Sequence, residues 1–247
     1  MKNPADKKLV EKGFVRSFGR TAKRMSVKEQ NELEEKLAPH TLGVGAKALS
    51  VFKQQGPLTV ELGVGRGEQI LARAEENPEQ RFIACEVFKN GLKFLLRQME
   101  EKGLENLRIY SDDARTLVAD LPEKSVDRLL VLYPDPWPKA KHKKRRLVNK
   151  TLLAGSCRIL KDDGELLIVT DIVDYAMWTL SNVYTEGSFF PVATSPAQWA
   201  TPPAGWHTTG YERKAKKEGR CPFYLTFKKQ SQLGRQAHNK GETTTAT

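Results

Sequence analysis

Apolar positions along the chain fall into short continuous runs separated by stretches of helical periodicity. LTVEL (58–62), RFIACEV (81–87), LRIY (107–110), SVDRLLVLY (125–133) and GELLIVT (164–170) read as buried strands. FFPVA (189–193) and CPFYLTF (221–227) add two more. Between them, Leu92, Leu95, Leu96 and Met99 recur at i, i+3, i+4, i+7, the mark of an amphipathic helix over 89–102. Further helices are expected from the glycines near 67 to Asn77-Pro78, over about 146–160 (stopped by Asp162-Asp163-Gly164) and over 174–186. Upstream, Ser26 and Glu29 have capping-box spacing and predict a helix from about Val27, with Leu33 and Leu37 on its apolar face. A short helix near 45–54 leads to Pro57. Alternating strands and helices predict an α/β fold, a mostly parallel seven-stranded sheet with helices on both faces. Ligands of such sheets bind beyond the carboxyl ends of the strands.

Composition narrows the class. The length of 247 residues suits one domain with tails or at most two small domains, and a composition 39% hydrophobic and 29% charged is that of a globular protein; one domain is expected over 26–228. Residues 1–25, polar and basic, are expected to form a flexible arm, and 229–247 a disordered tail. No apolar run approaches the roughly 20 residues that span a bilayer, and MKNPADKKLVEKGF has no apolar signal region, so the expected compartment is the cytoplasm. Cys85, Cys157 and Cys221 form no C-x-x-C pair, so neither a zinc cluster nor a disulfide framework is expected. All three lie in apolar stretches and read as inert core residues. The net charge of +11 fits a polyanionic partner or an anionic membrane, and the basic run from Lys139 has no apolar heptad beside it, which disfavours a membrane helix.

The candidate chemistry sits where the strands end. The first strand closes on Glu61-Leu62-Gly63-Val64-Gly65-Arg66-Gly67, in which glycines let the backbone turn sharply and approach a ligand. The dinucleotide fingerprint needs glycine at 68, where Glu68 stands. Glu86 closes the second strand, 23 residues after Gly63, where a carboxylate can accept both ribose hydroxyls of an adenosine. After the third strand, Asp112 and Asp113 are equally suited to read an adenine amino group. The fourth strand ends in Tyr133-Pro134-Asp135-Pro136-Trp137-Pro138, a stiff proline-rich loop beside an aromatic residue suited to stacking on a base. Seven positive charges with no acid follow in twelve residues, Lys139 to Lys150, as phosphate contacts require. Thr170-Asp171, Asp174-Tyr175-Ala176 and Thr209-Gly210-Tyr211-Glu212-Arg213 are polar segments suited to line a pocket.

Taken together, ELGVGRG, ACEV, the DDA segment, YPDPWPKAKHKKRR, TDIVDYA and TGYE resemble the tRNA (guanine-N7-)-methyltransferase family, over most of residues 15 to 228. The resemblance implies a Rossmann-like class I methyltransferase fold. It implies S-adenosylmethionine contacts at Glu61, Gly63, Gly65, Glu86, Asp113 and Asp135, with Asp135 also organising catalysis. It implies substrate contacts at Lys139, Asp171, Thr209, Gly210, Tyr211 and Glu212. It implies RNA contacts at Lys141, His142, Lys143, Lys144, Arg145 and Arg146. The substrate it implies is guanine 46, in the variable loop of tRNA. It implies no metal. The chain departs from the pattern at Gly210, which removes any side-chain contact there, and at the more basic Lys214-Ala215-Lys216-Lys217. The basic N-terminal arm suggests action without an obligate protein partner, although eukaryotic relatives work with one.

Guanine N7 carries a lone pair and no proton, so direct attack on a sulfonium methyl needs no general base. That fits a chain with no evident catalytic His or Cys. Three rival readings remain at this point. An amino-methyltransferase is disfavoured because its (Asp/Asn)-Pro-Pro-aromatic order is here Pro-Asp-Pro-Trp. A non-catalytic RNA-binding protein would not need Glu61, the glycines and Glu86. An NAD-dependent dehydrogenase is disfavoured by residue 68 and the basic run.

Overall fold

The computed structural model describes residues 25–43, 45 and 48–229. Its seven strands are β1 (Leu58–Leu62), β2 (Arg81–Cys85), β3 (Leu107–Tyr110), β4 (Val126–Leu132), β5 (Leu160–Thr170), β6 (Phe189–Pro191) and β7 (Phe223–Lys229). The helices are α1 (Val27–Leu37), α2 (Glu68–Glu76), α3 (Lys89–Lys102), α4 (Ala114–Asp120), α5 (Lys150–Ile159), α6 (Val173–Glu186), α7 (Pro196–Trp199) and α8 (Gly210–Lys217).

The strands form one sheet in the order β3-β2-β1-β4-β5-β7-β6. β1 to β5 are parallel, and β7 runs antiparallel between β5 and β6. Alternate side chains of each strand point to opposite layers. Phe82 and Ala84 pack with Ile70, Leu95 and Met99 of α2 and α3. Their neighbours Ile83 and Cys85 pack with Leu117, Leu152 and Tyr175 of α4, α5 and α6. Burial on both sides is why these strands read as unbroken apolar runs. The order in which strands are added reverses at β1 and β4: β2 and β3 lie to one side of β1, and β4 and β5 to the other, which leaves a crevice at the carboxyl ends there.

Local signals held where the physics is local. Ser26 and Glu29 form the expected capping box of α1. The apolar period over 89–102 gives α3 to the residue, ended by Gly103 in the left-handed conformation.

Several expectations are corrected. The region near 45–54 holds a 3-10 turn, Ala48–Val51, and no α-helix among its described residues. The helix expected from 146 starts at Lys150, because the Asn149 side chain caps it by accepting from Leu152 N at 3.0 Å. Asp162-Asp163-Gly164 does not merely stop a helix. It lies inside β5 as an outward bulge between the pairs Val126–Leu160 and Arg128–Glu165. Lys124 and Lys228 hold that bulge, donating to Asp162 Oδ2 at 2.8 Å and to Asp163 O at 3.0 Å. β6 stops at Pro191, and β7 runs two residues past Phe227 to Lys229, which therefore belongs to the sheet and not to the tail. The short helices α4, α7 and α8 were not expected. Cys85 is buried and Cys157 partly so, but Cys221 is exposed in the turn before β7 and is no core residue. The proposed arm lies outside the described residues except for Met25, and so does the tail beyond Lys229. No helix among the described residues is long and apolar enough to cross a membrane.

Candidate active site

A cavity of about 830 Å³ opens where β1, β2 and β4 end. Its walls include Glu61, Gly63, Gly65, Glu86, Asp112, Asp113, Asp135, Thr209, Gly210 and Tyr211, drawn from positions 150 residues apart.

The glycine loop forms the floor. Gly63 and Gly65 take φ of +76° and +59°, which side chains rarely adopt, and a Cβ at Gly63 would meet nothing within 4 Å. The Cys85 carbonyl accepts from Gly63 N at 2.8 Å and from Val64 N at 3.1 Å, tying the loop to β2. Backbone is thus presented to open space.

Glu61 is 3% exposed, and its Oε2 has no hydrogen-bond partner. Burial pushes its carboxyl up to about 8, opposed by the nearby Arg73 guanidinium and reinforced by Glu86 and Glu68. A buried carboxyl short of a partner on a cavity wall is suited to a cationic ligand group such as an α-ammonium. Glu86 is tied down differently. Its Oε2 accepts from Gly65 N at 2.7 Å, and its Oε1 from Val87 N at 2.7 Å and Phe88 N at 2.8 Å. Burial raises its pKa, and these three amides oppose the rise. The carboxylate is thereby oriented, with lone pairs remaining for ligand hydroxyls. Asp113 caps α4 by accepting from Arg115 N at 2.9 Å, and its two oxygens also receive the Arg115 guanidinium at 2.8 Å. Asp112 lines the same wall and accepts from Asp113 N at 2.8 Å. The structure therefore brings to one cavity wall both of the aspartates between which the sequence left the adenine contact open. Glycine loop, orphaned acid and oriented acid together fit S-adenosylmethionine.

Asp135 lines the cavity from the opposite side and is exposed. Of the three non-glycine residues with positive φ among the described residues, two bracket it: Tyr133 at +48° and Trp137 at +42°. Strain of this kind persists only where surrounding contacts impose it. Tyr211, 50% exposed, stacks on Tyr133 with centroids 5.8 Å apart and planes 14° apart.

The basic run is not uniform. Residues 140–145 form a 3-10 turn, and Lys139, Lys141 and Lys144 are exposed on it. Arg145 lies over the Trp137 ring, 4.9 Å from its centroid, and His142 meets that ring edge-on at 5.8 Å. Lys143 reaches Asp174 at 2.9 Å. Arg146 has no exposed side-chain surface. It bonds Pro136 O and the Asp174 carboxylate and lies 5.2 Å from the Tyr175 and Trp178 centroids. In this fold Arg146 is internal and offers RNA no surface, in contrast to the contact the resemblance implies for it.

The later segments divide likewise. Thr209 caps α8 by accepting from Glu212 N at 3.1 Å. Thr209, Gly210 and Tyr211 line the cavity, whereas Glu212 is buried away from it. Burial opposes the Glu212 charge, yet Lys216 at 2.7 Å and the Trp206 indole at 2.7 Å keep its pKa low. Asp171 is also outside the cavity wall, paired with Arg220 at 2.6 Å. Lys139 does not line the cavity either. Sequence reasoning missed Phe94, Lys89, Glu68 and Lys214 as wall residues. The first two stand on the helix that follows Glu86, a signal that was available. Glu68 directly follows the glycine loop, so its place in the wall was legible too, whereas Lys214 is joined to the site only by the packing of α8.

A family model described as a putative methyltransferase matches residues 55–225. Among curated proteins, the tRNA (guanine-N(7)-)-methyltransferase of Agrobacterium fabrum is 48% identical over 170 residues, covering 69% of this chain and 73% of that protein. The protein of that name from Ruegeria sp. (strain TM1040) is 38% identical over 223 residues, covering 88% and 87%. Among solved structures, the 16S rRNA methyltransferase KamB aligns with a TM-score of 0.51 at 16% identity, covering 87% of this chain and 99% of that one. TrmN from Thermus thermophilus gives 0.50 at 18%, covering 72% and 45%. At these identities the structures bear on the fold alone, which is that of the class I methyltransferases.

Proposed function

The chain belongs to the tRNA (guanine-N(7)-)-methyltransferase family, and from that premise we propose how its own residues carry out the methylation of guanine N7 in tRNA. The observation that carries the reading is one cavity that joins the glycine loop, Glu61 and Glu86 to Asp135, with exposed lysines flanking the Asp135 loop.

S-adenosylmethionine, when bound, supplies a methyl group on a positively charged sulfur. Glu61 receives the ammonium of its amino-acid portion. Glu86 accepts the ribose hydroxyls, and Asp113 with Asp112 holds the adenine end. The target guanine enters from the side of Tyr211 and Asp135. Tyr211 offers a stacking face, and Thr209 and Gly210 form the adjoining wall. N7 has no proton to lose, so no base is needed, and the reaction depends on placement. The methylated purine gains a positive charge, which the Asp135 carboxylate offsets. Lys139, Lys141 and Lys144 take phosphates of the RNA backbone. Arg145, held on Trp137, and His142 complete that edge. We assign the target to guanine 46 in the variable loop. We further propose that the enzyme works in the cytoplasm, without a metal and without an obligate protein partner.

The test is direct. Purified protein is incubated with bulk tRNA and methyl-labelled S-adenosylmethionine, the RNA is digested, and the labelled nucleoside and its position are identified. Label in 7-methylguanosine at the variable loop is expected. Label in a base-amino methyl product, or at another loop, overturns the corresponding part of the assignment.

A further inference from the structure

Glu68 is the residue that breaks the dinucleotide fingerprint, and the reaction outlined above does not use it. It is the first residue of α2, where the helix dipole favours an acid, directly after the glycine loop. Its carboxylate reaches across the cavity mouth to α8. Oε2 accepts from the backbone N–H of Gly210, and Oε1 accepts from Arg213 Nη2 at 2.6 Å. Arg213 Nη1 in turn donates to Thr208 O at 2.9 Å, so the fork closes on the residue before the cap of α8. The next residue continues the seam: Gln69 Nε2 donates to His207 O, and His207 meets Glu76 at 3.0 Å. Two helices far apart in sequence are thus clipped together at the rim of the cavity.

Gly210 fits this arrangement sterically. A Cβ at 210 would stand 3.3 Å from Glu68 Oε2, tighter than most side-chain contacts, and 3.5 Å from Oε1, an ordinary contact, so the carboxylate would have to shift by a few tenths of an ångström. The glycine that departs from the family pattern is therefore where a bare backbone amide meets the carboxylate. Beyond it, Tyr211 lies 3.7 Å from where a Gly65 Cβ would be and stacks on Tyr133. Moving α8 moves Tyr211.

We propose that Glu68 is a positioning residue that latches the substrate-side helix α8 to the cofactor-binding glycine loop, fixing Tyr211 over the cavity before RNA arrives. The role rests on the methyltransferase reading for its consequence, not for its existence. A hydrogen bond to a charged group is worth about tenfold in an equilibrium or more. Without the latch, tRNA binding must order α8, so the cost falls on substrate affinity.

The experiment compares parent, Glu68→Ala and Glu68→Gln in three measurements. Amide hydrogen exchange on the free protein reads the latch without any RNA. The Gly210 amide should exchange about tenfold faster in Glu68→Ala, with Glu68→Gln intermediate because it keeps one acceptor oxygen. The KM for tRNA should rise about tenfold in Glu68→Ala, while the Kd for S-adenosylhomocysteine stays within about twofold. Parental Gly210 exchange in Glu68→Ala overturns the latch. Faster exchange with an unchanged tRNA KM overturns its role in positioning. Loss of cofactor affinity as large as the rise in KM overturns it too, since Glu68 would then serve the cofactor directly. A parent that makes no 7-methylguanosine would fail the proposed function instead, and the exchange result would stand apart.

Discussion

Arg146 Nε donates to the carbonyl of Pro136 at 2.9 Å from a side chain with no exposed surface. The same guanidinium bonds the carboxylate of Asp174, at the start of α6. An arginine can do both and lie beside two aromatic rings because its donors are spread over a planar fork. The loop holding Asp135 is thereby fixed to α6 from within. Arg146→Ala should cost about 2–3 kcal/mol of stability by leaving Pro136 O and the aromatic faces without their partner. It should lower kcat through a loosened Asp135. The dependence of tRNA binding on salt should be unchanged, because no phosphate contact is lost. Thermal melts and binding titrations across salt check this, and a salt slope reduced by about one would mean that Arg146 touches RNA after all.

Lys139, Lys141 and Lys144 should behave in the opposite way. They are exposed on the basic turn and have no ion pair among the described residues. Each substitution by alanine should weaken tRNA binding and reduce the salt slope by about one, with the melting temperature little changed. The contrast with Arg146→Ala, measured on the same RNA, separates contact from support within a single basic run.

Asp135→Asn keeps the size of the side chain and removes its charge. Turnover should fall by about 10²–10³ if the carboxylate offsets the charge of the methylated purine. The tRNA Kd should stay near the parental value. Single-turnover kinetics reads the chemical step, and a parental rate there would exclude Asp135 from the chemistry.

Glu61 makes the free protein sensitive to pH. Its carboxyl, ordinarily near 4.5, is raised to about 8 by burial. Between those values the folded state holds a proton that the unfolded chain has released, so this contribution to stability is complete below pH 4.5 and is lost as pH rises through 8. Melts of the free protein from pH 5 to 8 should show a decline that Glu61→Gln lacks. Binding of an ammonium beside Glu61 favours the ionised form, so cofactor uptake near pH 7 should release a proton, visible as buffer-dependent heat in calorimetry. No difference between buffers would exclude Glu61 as the ammonium site.

What the sequence determined by itself is what short-range physics decides. Ser26 and Glu29 are three residues apart and cap α1 whatever surrounds them. The apolar stripe from Leu92 to Met99 encodes α3, and unbroken apolar runs encode strands buried on both faces. Because parallel strands bring their carboxyl ends to one edge, Glu61, Glu86, the Asp112-Asp113 pair and Asp135 were legible as one site from their places in the runs. Tertiary structure alone decided what depends on partners distant in the chain. Asp162-Asp163-Gly164 carries every local sign of a stop, yet Val126 and Lys228 draw it into β5. Seven basic residues look alike in sequence, and only the meeting of Pro136, Asp174 and Trp178 around Arg146 makes one of them internal. Glu68 and Gly210 lie 142 residues apart, and no periodicity marks their bond. A charged or polar side chain has no preferred partner until packing supplies one, whereas a hydrophobic period states its own burial. For that reason the elements and most of the cavity could be read along the chain, and the clamps that hold the site could not.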